Sequence, residues 1–203
     1  TMNQLLRITL APSPEQFERL CVLQAEFARV CNALAPMVRD TRCWNRVALH
    51  HMAYKTLREQ FPAMGSQMVC NAIYSVCRSS RLIYQHPTSP FNVARMGSRP
   101  LPLLRFLGTS PVYFDRHTLS FKDGRLSMYT LDGRMRFDLA LSAADEAAFH
   151  GSKLREVVLT REAGDAFVLS FWLGDADVSP PAEEGPEGGL NEIPEYLMVE
   201  EVT

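Results

Sequence analysis

Between Ser66 and Tyr84 the sequence keeps a 3.6-residue period, which predicts a helix with two unlike faces. Val69, Ala72, Ile73, Val76 and Ile83 share one side. Gln67, Asn71, Tyr74, Arg78, Arg81 and Gln85 fall within an arc of about 80° at 100° per residue. Two guanidiniums, three amides and a phenol, with no acid among them, suit a surface that tracks a phosphate backbone and has room for base or sugar contacts. An ordinary solvated helix face has the same composition, and the stripe alone does not separate the two. Arg42 and Arg46 flank Trp44, a grouping that can stack on a base and bind phosphate, although a tryptophan there also serves as core. Arg95, Arg99 and Arg105 lie in a connector without an acid, and a basic loop is a natural clamp for nucleic acid. Arg134 and Arg136 alternate with Met135 and Phe137, the period of a strand with one buried face, and join the candidate nucleic-acid-binding set.

Signatures of catalysis are missing. The chain has no phosphate-cradling glycine loop, no G-x-S-x-G elbow and no H-E-x-x-H. Asp175 and Asp177 form a carboxylate pair that can hold a metal, but they also read as the start of a linker. His50 and His51 are adjacent and point about 100° apart on a helix, so they do not clamp one ion. Cys21, Cys31, Cys43, Cys70 and Cys77 form an odd set without a C-x-x-C pair, which predicts reduced thiols packed as small hydrophobes. No catalytic residue, metal ligand or cofactor follows from the sequence.

Charge is unevenly distributed. The net charge is -2, yet nine acidic residues and no lysine or arginine follow Gly174, leaving the preceding body at +7. Residues 39–114 hold ten basic residues opposed by Asp40 and Glu59 alone. A basic body with an acidic tail points to a polyanionic partner. No apolar stretch approaches the roughly 20 residues that span a bilayer, and the N-terminal segment lacks the pattern of a signal peptide. A cytoplasmic location is the expectation.

The elements that must position these residues follow in order. Leu5 to Leu10 reads as a short strand. Ser13, Pro14 and Gln16 give an N-cap, a first-turn proline and a capping box, opening a helix whose apolar positions run from Phe17 to Leu34. Pro36 is expected to end or interrupt it. A second helix is expected from about Thr41 to Glu59, burying Trp44, Val47, Ala48, Tyr54, Leu57 and Phe61. The third is the helix described above. Pro87, Pro90, Pro100, Pro102 and Pro111 then punctuate residues 86–111, which are read as irregular, without helix or central strand. From Val112 the pattern turns to β, with hairpin signals at Asp123-Gly124, Asp132-Gly133 and Ala163-Gly164-Asp165. Ser142 caps a short acidic helix to Phe149, and Phe167, Leu169, Phe171 and Leu173 alternate in a last strand. GDADVSPPAEEGPEGG reads as an acidic linker, and Ile193 to Val202 is apolar enough to dock.

In this order the pieces resemble the N-terminal half of TnpB-type transposon-encoded RNA-guided nucleases and the miniature type V CRISPR effectors. LRITLAPSPEQFERL is similar to that family's opening strand and first helix, and Asn32, in ARVCNALA, falls where the family places an asparagine. LREQFPAMGSQMVCNAIYSVCRSSR is similar to its basic recognition helices, and RPLPLLRFLGTSPVYF to its loop leading back into β structure. VYFDRHTLSFKDGRLSMYTLDGRMRFDLAL and LREVVLTREAGDAFVLSFWL resemble the remaining wedge strands, so the likeness covers about residues 4 to 174. It rests on order and spacing, with no single diagnostic motif. The resemblance implies an α+β fold: a small oligonucleotide-binding-like β-barrel, or wedge, from residues 1–11 and 111–174, with a three-helix recognition insertion at 12–85. The basic connector at 86–110 and the acidic tail at 175–203 complete it. Where the family continues into a RuvC-like nuclease, this chain has GDADVSPPAEEGPEGG. Cleavage assisted by two metals needs several carboxylates, and nuclease activity is not implied.

The expected function is binding of RNA, and of DNA in an RNA–DNA duplex, either alone or beside a separately encoded nuclease or effector subunit. The alternative is an interaction or inhibitor protein whose acidic tail mimics nucleic acid and targets a protein partner. On the first reading, deleting residues 175–203 should tighten nucleic-acid binding by removing a tethered polyanion. If Ile193 to Val202 docks as core, the same deletion should destabilise the chain instead.

Overall fold

Two-residue alternation and helical periodicity both survive folding, but they distribute burial differently. The structure is a computed structural model that describes residues 4–174 and 193–202. Among these the fold is α+β, with every strand pair antiparallel. The described residues fall into two compact units. One takes the chain up to Gln24 and again from Pro111; the other holds Ala25–Ser110 with the C-terminal strand, the division falling inside the first helix.

In the first unit, β1 (Gln4–Thr9) pairs along its length with β8 (Ala166–Leu173), so the first strand joins strands from beyond residue 110 as the resemblance implies. β8 pairs in turn with β7 (Leu154–Glu162), and β7 with β3 (Val112–Phe114), giving a four-stranded sheet of order β1-β8-β7-β3. A separate meander is made by β4 (Leu119–Lys122), β5 (Arg125–Thr130) and β6 (Gly133–Asp138). Asp123 and Gly124 adopt φ of 53° and 76°, the pair of positive values that a two-residue hairpin twisted like its strands requires. The second hairpin turns one residue earlier than Asp132-Gly133 suggests, because Thr130 pairs with Gly133. The loop Ala163-Gly164-Asp165 joins β7 to β8, with Gly164 and Asp165 at positive φ. Phe167, Leu169, Phe171 and Leu173 are buried, and Phe149 meets Phe121 and Phe171 edge-on at 6.0 and 5.6 Å. Phe149 belongs to α5 (Ala143–Gly151), whose Ser142 cap accepts from the Asp145 amide.

None of these sheets closes into a barrel among the described residues. The start of α1 (Pro14–Thr41) is tied to β6: Gln16 Nε2 donates to the Arg136 carbonyl at 3.2 Å and Arg19 Nη2 to the Gly133 carbonyl at 3.4 Å. The capping box is formed: Ser13 N donates to Gln16 Oε1, and Gln16 N to Ser13 Oγ.

The second unit is built on helices. α1 does not stop at Pro36 but runs to Thr41, and Leu34, Ala35 and Val38 around the proline are at most 2% exposed. Their burial offsets the lost backbone bond, a local penalty of about 3 kcal/mol. Arg42, at φ 52°, then breaks the helix, and α2 (Arg46–Gln60) starts later than expected, capped by Asn45. That shift changes its inner face. Leu49, Ala53, Leu57 and Phe61, spaced by four, are buried, while Val47 is 66% exposed and Trp44, Ala48 and Tyr54 are half-buried. α3 (Ser66–Ser80) continues into one wide π-helical turn, Arg81–Gln85. The proline-rich connector is more ordered than its composition suggests. It contains a single helical turn, α4 (Val93–Met96), and a strand, β2 (Leu103–Phe106). β2 pairs with β9 (Leu197–Glu200), so the apolar end of the chain docks; the linker sequence before it lies outside the described residues. Among the described residues no helix is long and apolar enough to cross a membrane.

Candidate nucleic-acid interface

Most of the predicted site residues gather in the helical unit, but not as a solvated stripe. α3 is enclosed on nearly every side: Asn71 is 5% exposed and Arg78 8%, and Ser75, Ser79 and Ser80 are buried as well. Asn71 Nδ2 lies 3.7 Å from Met68 Sδ, an internal contact. The sequence-based expectation that the polar arc faces solvent is therefore corrected, because helices and connector leave α3 no wholly open side. Tyr74 and Gln67 are half-buried.

What the structure does bring together is the far end of that arc and the α1–α2 junction. A cleft of about 620 Å3 is lined by Arg42, Cys43, Trp44, Asn45, Arg46, Arg81 and Gln85, without a carboxylate. The left-handed turn at Arg42 carries Trp44 back toward the π-helical turn. There Trp44 Nε1 donates to Gln85 Oε1 at 2.7 Å, and its ring lies 5.3 Å from Tyr84. The Arg46 guanidinium lies over the Tyr74 ring at 5.3 Å, a cation–π contact that holds the charge without neutralising it. A smaller cleft of about 160 Å3 shares Arg81 and Gln85 and adds Arg78, Leu82, His86 and Pro87. Arg78 thus reaches a cleft wall despite its burial. Chemically the arrangement is a concave set of guanidinium donors beside an indole and an amide, suited to phosphate oxygens and to a stacked ring.

The connector arginines have another role. Arg95 Nη1 donates to the Ser89 carbonyl, Arg99 to the Met96 and Arg95 carbonyls, and Arg42 to the Gly97 and Arg99 carbonyls at 2.7 and 2.6 Å. They hold the loop in shape rather than presenting a row of open charges. Arg105, in a connector without an acid of its own, forms an ion pair of 2.7 Å with Glu200 of β9.

The first unit presents a second basic surface. Strand alternation leaves Lys122, Arg125, Arg134 and Arg136 exposed on β4, β5 and β6, with half-buried Tyr129 directly opposite Arg134. Arg134 Nε donates to Ser127 Oγ at 2.8 Å, and Arg125 pairs with Asp138 at 3.1 Å. Lys122, Arg125 and Tyr129 were missed as site candidates. The Asp123-Gly124 turn carried the signal, since a two-residue hairpin sets Lys122 opposite Arg125.

The remaining chemistry-bearing residues do not assemble a centre. None of the five cysteines is in a disulfide, and burial pushes the Cys31 and Cys77 thiols up to about 12 and about 11, so both stay protonated. His50 stacks on Tyr54 at 4.5 Å, 6.2 Å from the His51 ring. Among the described residues no three of His, Cys, Asp and Glu are placed to hold a metal ion; Asp175 and Asp177 lie outside those residues. No protein-family model matches the chain, and no curated protein matches it.

Proposed function

We propose that the chain is a nucleic-acid-binding protein that grips the backbone of structured RNA or of an RNA–DNA duplex and has no nuclease centre of its own. The observation that carries this proposal is the acid-free cleft in which Arg42, Arg46 and Arg81 converge beside Trp44 and Gln85. Arg46 and Arg81 supply charge-assisted bonds to phosphate oxygens, while Arg42 shapes the cleft wall with its guanidinium bonded to the Gly97 and Arg99 carbonyls. Trp44 is half-buried, and Gln85 is exposed and brings an amide whose oxygen accepts from the indole while its N–H groups remain donors. The open face of β4–β6 adds a second set of cations in the other unit. On this account the β-rich unit acts as an open, oligonucleotide-binding-like wedge and the helices as the recognition part, as the resemblance to TnpB-type proteins implies. Such a protein senses backbone and shape, and base pairing within the nucleic acid supplies sequence.

The test is fluorescence anisotropy with a labelled RNA hairpin. Replacing Arg46 and Arg81 together by Glu should weaken binding at least about tenfold at low salt and lower the slope of log affinity against log salt by about 2. A circular dichroism melt confirms that the variant is folded. Unchanged affinity and slope in a folded variant would remove the cleft from the site.

A further inference from the structure

The edge of β2 is held from behind in a way that does not involve β9. Asn32 Nδ2 donates to the Phe106 carbonyl at 2.9 Å, and the Phe106 amide donates to Asn32 Oδ1 at 2.7 Å, so one side-chain amide of α1 pairs with the strand as a backbone unit would. Tyr84 Oη donates to the Pro102 carbonyl at 2.6 Å, fixing the entry to the strand. Leu101, Leu104 and Phe106 are at most 3% exposed. Because both polar groups of Phe106 are spent on Asn32, the groups of Arg105 and Leu107 point to the opposite edge. There β9 sits, with Arg105 opposite Met198, and Leu107 N donating to the Tyr196 carbonyl at 2.9 Å.

β9 is held far less firmly. Of residues 193–202, Leu197 alone is fully buried, at 3% exposure, opposite Phe106. Val199 is half-buried opposite Leu104, while Ile193, Met198 and Val202 are 41%, 48% and 53% exposed. The Arg105–Glu200 ion pair is open to solvent, with side chains 60% and 39% exposed. A four-residue ladder with one buried anchor and one rim charge has the composition of a strand-addition ligand on a sheet edge. In that mode main-chain bonds give affinity and alternate side chains give selectivity.

We infer that the β2 edge is a prebuilt peptide-binding groove, and that residues 193–202 occupy it as an exchangeable ligand joined through the chain. The groove selects an extended segment with an apolar residue opposite Phe106, a second opposite Leu104, and an acid one residue later that reaches Arg105. An outside segment of that pattern competes with β9 for the same edge. The inference does not depend on nucleic-acid binding at the cleft.

The experiment introduces a site-specific protease recognition sequence within residues 175–192 of the full chain and adds a fluorescein-labelled peptide, IPEYLMVEEVT, before and after cutting. A segment joined to its site competes at an effective concentration on the order of millimolar. The cut protein should therefore bind the peptide at least about tenfold more tightly than the uncut protein. A peptide with aspartate in place of the leucine of Leu197 should not bind, and Arg105→Glu in the cut protein should weaken binding several-fold. Three results would overturn the inference. One is a C-terminal fragment that stays bound and never exchanges. Another is a cut protein that unfolds when the fragment leaves, seen by circular dichroism. The third is equal binding of the aspartate peptide.

Discussion

α3 and β6 carry the same kind of sequence signal, arginines spaced regularly against an apolar period, and fold to opposite ends. On β6, Arg134 and Arg136 stand exposed while Met135 and Phe137 are buried. On α3, Arg78 and Asn71 are buried together with the apolar set. A strand in an open meander has two sides, and burying one leaves the other to water. A helix has a full circumference, and when neighbours and connector wrap it, a polar arc becomes the lining of a cleft. Period therefore tells which residues share a face, and the elements packed around the face decide whether it is wet.

That contrast can be broken or sharpened by mutation. Arg78→Glu replaces a guanidinium held at 8% exposure, and should destabilise the chain by about 3–5 kcal/mol, the range for disrupting a buried charge. Arg136→Glu on the open sheet should stay within about 0.5 kcal/mol of wild type. Urea unfolding of the two variants compares them directly, and equal losses would mean that the burial contrast is wrong. Asn32→Ala removes both bonds to Phe106 and should cost about 2 kcal/mol, read in the same titration. Leu197→Ala should cost about 2 kcal/mol by thermal melt with the chain still folded, since its side chain is buried on a two-stranded edge. Ser13→Ala, which removes the cap of α1, should cost about 1 kcal/mol.

The docking of β9 revises the expected effect of the acidic tail. With Leu197 opposite Phe106 and Glu200 on Arg105, deletion of residues 175–203 strips an edge strand as well as a run of acids. The expected outcome is a lower melting temperature, with no gain in RNA affinity once the truncated chain is compared in its folded state.

Local rules located the elements well. The capping box at Ser13, the Asp123-Gly124 hairpin, the Ser142 cap and the pairing of the first strand with β8 are all legible, because each is fixed by a few adjacent residues or by the order of elements. The failures are non-local. Pro36 lies inside α1 because burial outweighs one lost bond, and α2 turns a different face inward because Arg42 takes a left-handed turn. β2 forms in a short, proline-flanked segment because Asn32 holds it from one edge, which leaves the other edge for β9 to pair with. In the candidate site, Arg81 on the third-helix arc and Arg42 and Arg46 beside Trp44 were legible as two separate groups, and their convergence in one cleft was not. The pairing of Trp44 with Gln85, and the backbone carbonyls that occupy Arg42, Arg95 and Arg99, depend on contacts across the chain that no local pattern encodes.

The most direct measurement is the affinity of the intact protein for a structured RNA as a function of salt. The account predicts binding at about 50 mM salt, with log affinity falling linearly against log salt at a slope of at least about 2 in magnitude, since Arg46 and Arg81 both line the cleft. Absence of binding at that salt, or binding indifferent to salt, would contradict it.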